Sequence, residues 1–222
     1  MEFKDKVVLI TGAGRGTGNL LAEAFANEGA SLVLNDISPQ NVDMLAADLN
    51  SRGASVQVFV EDVAKKVGVQ ALVKQAEDAF GRIDVLINHA SVEPHVPLLD
   101  MDEWDWHRVL DVNLTGVFLM MQTTGRIMRA HGGVIINLAS LAEGTITLDR
   151  SAYIASLYGM VGLTRQASRE LFAHNIRVHA LGRGLGRFQN TATTIPADLS
   201  RAVLFLCSPR SAHLTGNIVN LP

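Results

Sequence analysis

Glycines are concentrated directly after the first apolar run of the chain, where they can form a phosphate-binding turn. The segment from Thr11 to Gly18 reads Thr-Gly-Ala-Gly-Arg-Gly-Thr-Gly, and a helical pattern begins immediately after it. Glycines permit a tight turn and a close approach of the backbone to a pyrophosphate. The free N–H groups at a helix N-terminus add a partial positive charge. The arrangement therefore favours a dinucleotide as ligand.

A carboxylate, Asp36, closes the second apolar run about twenty residues later, where it can accept hydrogen bonds from ribose hydroxyls. Together with the glycine turn it predicts a nicotinamide dinucleotide site. Its negative charge would repel the 2′-phosphate of NADP, so NAD is favoured. Arg15 argues for NADP, because it could pair with that phosphate. The alternative to a binding site is a simple turn in which Asp36 caps the next helix.

Strand-like and helical patterns alternate along the whole chain. Short runs rich in Val and Ile predict seven strands, at 7–10, 31–34, 56–60, 85–87, 134–138, 176–180 and 218–219. Helical spacing lies between them, including two longer stretches at about 103–130 and 150–173. This order predicts an α/β fold: a Rossmann-like doubly wound parallel sheet of about seven strands with helices on both faces and ligands at the strands' C-terminal ends. Because no linker or repeat divides the chain, residues 1–222 are expected to form a single domain.

Composition excludes several classes of partner. The formal net charge is −3 and no basic stripe is present, so no nucleic acid is expected. The apolar stretch near the N-terminus is too short for a membrane span, which predicts no membrane contact and a cytoplasmic protein. The dispersed histidines predict no metal site. The single cysteine, Cys207, lies in an apolar run and is expected to be a buried thiol.

Further motifs follow the third, fourth and fifth predicted strands. They are Asp62-Val63, Asn88-His89-Ala90-Ser91, Asn113 within Asp-Val-Asn-Leu-Thr-Gly, Ser140, and Tyr153 thirteen residues after Ser140. Together with the Thr-Gly-x-x-x-Gly-x-Gly turn, these residues make nearly the whole chain resemble a classical short-chain dehydrogenase/reductase (SDR). The Asn88 motif matches only in part, because the family usually has Asn-Asn-Ala-Gly there.

The resemblance implies hydride transfer between the nicotinamide of NAD and a small carbonyl or alcohol substrate. Tyr153 would exchange the hydroxyl proton, Ser140 would hold the substrate oxygen, and Asn113 would position a water. It also implies a homo-oligomer, either a dimer or a tetramer. The cofactor-binding residues implied are Gly12, Arg15, Gly16, Thr17, Gly18, Asp36, Asp62, Val63, Asn88 and Ala90.

The sequence departs from the family pattern in the half of the site that would hold the nicotinamide. The family's Tyr-x-x-x-Lys reads Tyr153-Ile-Ala-Ser-Leu157, so the cation that stabilises the tyrosinate and bonds the nicotinamide ribose is missing. Arg183 or Arg187 is a candidate replacement. The strand containing His179 also lacks the family's Asn-x-x-x-Pro-Gly run, and the segment after it is too short for the usual substrate lid.

Three functions remain compatible with the sequence. The first is an NAD-dependent oxidoreductase with full or reduced activity, which the presence of Asn113, Ser140 and Tyr153 favours. The second is a catalytically silent NAD-binding homologue acting as a sensor or partner subunit, which Leu157 and the short loop favour. The third, a structural subunit with a vestigial site, fits poorly because the adenine half is intact. We expect the oxidoreductase.

Overall fold

A computed structural model describes residues 1–140, 148–183 and 196–221. The strands are β1 Val7–Thr11, β2 Ser31–Asn35, β3 Val56–Phe59, β4 Val85–Asn88, β5 Gly133–Ser140, β6 Ile176–Arg183 and β7 Ile218–Leu221. The helices are α1 Gly16–Asn27, α2 Pro39–Ser51, α3 Lys66–Phe80, α4 Glu103–Leu110, α5 Val117–Met128, α6 Ser151–Glu170 and α7 Pro196–Cys207. Every predicted strand is present.

The seven strands form one parallel sheet in the order β3-β2-β1-β4-β5-β6-β7. The predicted doubly wound fold is therefore confirmed. The chain moves outward in one direction from β1 to β3 and then returns to the other side of β1 at β4. In such sheets ligands bind where the strand order reverses, beyond the C-terminal ends of the strands. The ends of β1 and β4 are that point here.

Two apolar cores cover the two faces of the sheet. On β1, Val8 and Ile10 pack into one core with Phe25 of α1, whereas Val7 and Leu9 face the other core with α3, α5 and α6. Burial on both faces explains why the strands are continuous apolar runs rather than alternating patterns. Cys207 is buried in the first core, as predicted.

The predicted long helix at 103–130 is interrupted. Between α4 and α5 the residues Asp111–Gly116 form a π-helical turn. Asp102 caps α4 by accepting a hydrogen bond from Asp105 N at 2.7 Å. Gly116 suits the turn, because a Cβ there would lie 3.0 Å from the carbonyl oxygen of Val63, which is closer than most Cβ contacts. The interruption places Asn113 against the loop after β4.

None of the helices in the described part of the chain is long and apolar enough to span a membrane.

Candidate functional site

The glycine turn joins β1 to α1 with very little space around it. Gly12 has φ +65°, and a Cβ there would lie 2.7 Å from Ala90 Cα. A Cβ on Gly18 would lie 2.2 Å from the carbonyl oxygen of Gly12. Helix α1 begins at Gly16, and the side chain of its N-cap residue, Arg15, makes no capping hydrogen bond to the first N–H groups of the helix. Those N–H groups and the helix dipole can therefore receive an anionic phosphate.

Asp36 directly follows β2 and is held by backbone groups on both sides. One carboxylate oxygen accepts a hydrogen bond from Gly14 N at 2.9 Å, and the other accepts one from Ser38 N at 2.9 Å. A carboxylate oxygen has room for a further hydrogen bond. The carboxylate is thus fixed in place and can still accept hydrogen bonds from hydroxyls of a ligand.

A cleft of about 490 Å³ opens at the ends of β1, β2 and β4. Six predicted cofactor residues line it: Gly12, Arg15, Asp36, Asp62, Val63 and Ala90. Gly16, Thr17 and Gly18 form the first turn of α1 and do not line it. Asn88 does not line it either, because its buried side chain donates a hydrogen bond to Asn137 Oδ1 at 2.8 Å.

The opposite wall of the cleft comes from α4, which the sequence analysis did not assign to the site. Trp104, His107 and Arg108 line the cleft there, and the Arg108 guanidinium lies 5.4 Å from the centre of the Trp104 ring. The signal in the sequence was an aromatic and a basic residue four positions apart, which one helix face brings together. The cleft therefore has one acidic wall and one aromatic and basic wall.

His89 ties the loop after β4 to the glycine turn. Its Nδ1 lies 3.0 Å from the carbonyl oxygen of Gly12, and its backbone N donates to Thr11 Oγ1 at 3.1 Å. Burial lowers the pKa of His89, although the bond to Gly12 opposes this. We therefore assign a neutral ring with the proton on Nδ1, because the Gly12 oxygen can only accept.

Asn113 connects the cleft to α6 through three hydrogen bonds. Its Oδ1 accepts from Val92 N at 2.9 Å, and its Nδ2 donates to Val92 O at 2.9 Å and to Ser156 Oγ at 3.2 Å. Ser156 Oγ in turn donates to the carbonyl oxygen of Tyr153 at 2.6 Å. Because Val92 lines the cleft, one hydrogen-bonded chain links the cleft lining to the helix that carries Tyr153.

Tyr153 lies in the first turn of α6 and is only 2% exposed. Burial raises the pKa of its hydroxyl well above the usual range, the Glu93 carboxylate raises it further, and Arg150 opposes both effects. Leu157, one turn later on the same helix, is also buried and contributes no charge. The tyrosine is therefore held in its protonated form.

Glu93 and Arg150 form an ion pair beside Tyr153 that the sequence analysis missed. Arg150 Nη1 lies 2.5 Å from Glu93 Oε1, and the two side chains are 13% and 28% exposed. The position of Arg150 directly before α6 and three residues before Tyr153 was a usable signal, since it places Arg150 at the start of the same helix. Glu93 lies far away in sequence and gave no such signal.

Other predicted residues can be placed only in part. Ser140 is the last residue of β5 and pairs with Arg183, the last residue of β6. The side chains of both lie outside the described part of the structure, and Arg187 lies outside it altogether. Tyr158, five residues after Tyr153 on α6, is 59% exposed.

Comparison with known proteins identifies the family. Residues 6–197 match the short chain dehydrogenase family. The chain belongs to that family. It is 31% identical to the 3-oxoacyl-(acyl-carrier-protein) reductase of Thermotoga maritima, over 100% of this chain and 98% of the relative. It is 34% identical to D-threitol dehydrogenase of Mycolicibacterium smegmatis, over 95% of this chain and 89% of the relative.

A solved structure of similar shape is that of NAD⁺-bound xylitol dehydrogenase. The TM-score is 0.88 at 27% identity, and the match covers 100% of this chain and 99% of the other. This likeness confirms the Rossmann-like parallel sheet. The chain is thus a member of an oxidoreductase family whose proteins bind nicotinamide cofactors.

Proposed function

We propose that the protein is an NAD(H)-dependent oxidoreductase that acts on a small carbonyl or alcohol, with reduced activity. The observation that carries this proposal is the hydrogen-bonded chain from the cleft lining at Val92, through Asn113 and Ser156, to Tyr153. It joins the first turn of α6, at the backbone carbonyl of Tyr153, to the lining of a cleft with the features of a dinucleotide site. Binding and proton exchange would then occur in adjoining parts of one site.

The residues of the cleft fit the cofactor. The turn at Gly12 and Gly18 has room only for backbone, so a pyrophosphate can approach α1 closely. Asp36 can accept hydrogen bonds from the adenine-side ribose, and its charge disfavours a 2′-phosphate. NAD is therefore proposed over NADP, and the NAD⁺-bound state of the related xylitol dehydrogenase supports this choice.

When bound, the nicotinamide would supply or accept the hydride. Tyr153 would exchange the hydroxyl proton of the substrate, and Ser140 would donate a hydrogen bond to the same oxygen. Asn113 would position Tyr153 indirectly, because it fixes both Ser156 and the backbone of Val92. The proposed substrate class agrees with the names of two relatives, which are D-threitol and xylitol dehydrogenases.

A second function is a catalytically silent NAD-binding protein that serves as a sensor or a partner subunit. The observation that favours it is Leu157, which is buried where the family has lysine. Without a cation there, and with its pKa raised by burial, Tyr153 ionises poorly at neutral pH. Loss of proton transfer costs about 10²–10⁴-fold in rate. A catalytically silent protein and an oxidoreductase of low activity would therefore differ only in the size of the remaining rate.

Calorimetry and a Leu157→Lys variant separate these functions. We expect the parent to bind NAD with about micromolar Kd and to turn over alcohols or ketones slowly, and Leu157→Lys to raise kcat by about 10²-fold. Leu157→Met is the matched control, because it keeps an apolar side chain of similar size and should leave kcat unchanged. Turnover in the lysine variant alone would support the silent binder, and no NAD binding by the parent would contradict both proposals.

We also propose that the protein works as a homo-oligomer in the cytoplasm. An open groove of about 440 Å³ lies between α5 and α6, and its apolar lining includes Phe118, Leu163 and Leu171. Phe118 is 42% exposed, although its neighbours Met120 and Met121 are buried. A second copy could cover this face.

The cytoplasmic location is supported by the lone Cys207, which can make no internal disulfide.

A further inference from the structure

One face of α4 forms the outer wall of the cleft. Trp104, His107 and Arg108 line the cleft, and Asp111, directly after the helix, continues the same spacing of three or four residues. Val109, on a different side of α4, is buried in the apolar core. The helix is therefore anchored by one face and presents another face to the cleft.

Trp104 gives this wall an aromatic surface. The residue is 66% exposed, although it lines a cleft. The Arg108 guanidinium lies 5.4 Å from the centre of the Trp104 ring, within the range of a cation–π contact. An indole ring is a large apolar surface, and covering it with another flat ring is favourable. The wall can therefore receive a ligand that contains a planar ring.

The side of the cleft that faces α4 is formed by residues that follow β2 and β3. Asp36, proposed above to bond the adenine-side ribose, is followed by Ile37, which is 71% exposed and lines the cleft. Val63, after β3, lines the cleft as well. The base of a nucleotide is joined directly to its ribose, so a base whose ribose bonds Asp36 must lie in this same cleft. It would have apolar side chains on both sides.

We propose that Trp104 binds the adenine ring of the dinucleotide from the side of α4, by stacking, and that Arg108 positions the Trp104 ring for this contact. The inference rests on the proposed function only in taking the cleft as the dinucleotide site. It adds an affinity contact at the adenine end of the site, away from Tyr153 and Leu157. Stacking of a base on an aromatic side chain typically changes binding by about tenfold or more.

The basic side chains of the wall could instead receive an anion, such as a 2′-phosphate. Two observations favour a ring over an anion. Arg108 already lies over Trp104, and His107 Nε2 lies 3.3 Å from Glu103 Oε1. Asp111 continues the same wall with a carboxylate, which would repel an anion. The wall is thus an aromatic surface with balanced charges rather than a basic patch.

The test compares AMP, which contains the base, with ribose 5-phosphate, which lacks it. The chain has two tryptophans, so in a Trp106→Phe background the fluorescence comes from Trp104. We expect AMP to quench this fluorescence and ribose 5-phosphate to leave it unchanged. Calorimetry should show that Trp104→Ala weakens AMP and NAD binding by about tenfold, while Trp104→Phe retains most of the affinity. Unchanged AMP affinity in Trp104→Ala, or equal quenching by ribose 5-phosphate, would overturn the inference.

Two further variants complete the test. Trp106→Phe is the matched control, because Trp106 packs against the apolar core and does not line the cleft, so AMP affinity should equal the parent's. Arg108→Gln should weaken AMP and 2′,5′-ADP by the same factor, and a larger loss for 2′,5′-ADP would show an anion site and overturn the inference.

Turnover decides the proposed function separately. A protein that binds AMP through Trp104 but turns over no alcohol or ketone would retain this inference and contradict the oxidoreductase. A parent that turns over substrate with NAD while Trp104→Ala binds AMP normally would retain the oxidoreductase and overturn this inference. A parent that binds neither AMP nor NAD would overturn both.

Discussion

At the scale of single residues, the proposed preference for NAD over NADP depends on the Asp36 carboxylate. Asp36→Asn removes the charge and one of the two hydrogen bonds accepted from Gly14 N and Ser38 N. Hydrogen bonds to charged groups contribute about 1.5–3 kcal/mol, so weakening the proposed hydrogen bonds from the ribose hydroxyls should lower NAD affinity about tenfold or more. Affinity for NADP should fall less or rise, because repulsion of the 2′-phosphate is lost. Calorimetry with NAD and with NADP gives the two Kd values, and their ratio measures the change in preference.

The matched control for this change is Asp43→Asn. Asp43 is exposed on α2 and does not line the cleft, so the net charge changes by the same amount away from the site. The preference for NAD should be the same as in the parent. If both variants altered the NAD/NADP ratio equally, general electrostatics rather than the Asp36 contact would explain the preference.

Single residues also show what spacing along the chain can and cannot reveal. Asp36 was predictable because the distance from a glycine turn to the end of the next strand is fixed by the βαβ geometry. Arg150 was within reach of the same reasoning, since it precedes Tyr153 by three residues. Glu93 was not, because its position beside Arg150 depends on the bridge between Val96 and Arg150, which joins distant parts of the chain.

At the scale of elements, the π-helical turn is the feature on which the site's geometry depends. Asn113→Ala would leave the N–H and C=O of Val92 and the Ser156 hydroxyl without their partner in a mostly buried region. An unsatisfied buried polar group costs about 1–3 kcal/mol, so the free energy of unfolding should fall by about 2 kcal/mol or more. Urea unfolding measures it. Ser156→Ala removes only one of these bonds and should cost less; an equal or larger loss would contradict this assignment.

The elements themselves were largely predictable, and the exceptions have physical causes. Seven apolar runs gave seven strands because a parallel sheet buried on both faces needs uninterrupted apolar residues. The stretch at 103–130 was predicted as one helix because its apolar spacing continues through the interruption. The break at Asp111–Gly116 results from tertiary contacts instead, namely the bonds of Asn113 to Val92 and the close approach of Gly116 to Val63. The apolar periodicity of the sequence does not depend on such contacts, so it could not predict the break.

At the scale of the whole molecule, the groove between α5 and α6 predicts self-association. Sedimentation should give a mass that is a multiple of the 23.9 kDa chain. Phe118→Arg places a charge on the exposed apolar side chain of this face and should shift the protein toward the monomer. Phe172→Arg is a matched control, because Phe172 is 68% exposed and lies outside this groove. A parent that sediments as a monomer would refute the oligomer.

The stability of the whole fold should depend on pH through one buried side chain, His179 of β6. It is fully buried, and neither ring nitrogen has a hydrogen-bond partner among the residues that the structure describes. Burial lowers the pKa of His179 to about 4, and the nearby charge of Arg177 acts in the same direction. The pKa of a histidine in the unfolded chain is about 6.5. Between these two pKa values the unfolded chain therefore binds a proton that the folded chain does not bind. Stability should be fully present above about pH 6.5 and should decrease by about 2–3 kcal/mol as the pH falls to about 4.5.

Urea unfolding of the parent and of His179→Leu across this pH range measures the decrease. The variant should lose less stability on acidification, whereas His213→Leu, at an exposed position, should behave like the parent. Equal slopes for the parent and His179→Leu would mean that other groups cause the acid sensitivity.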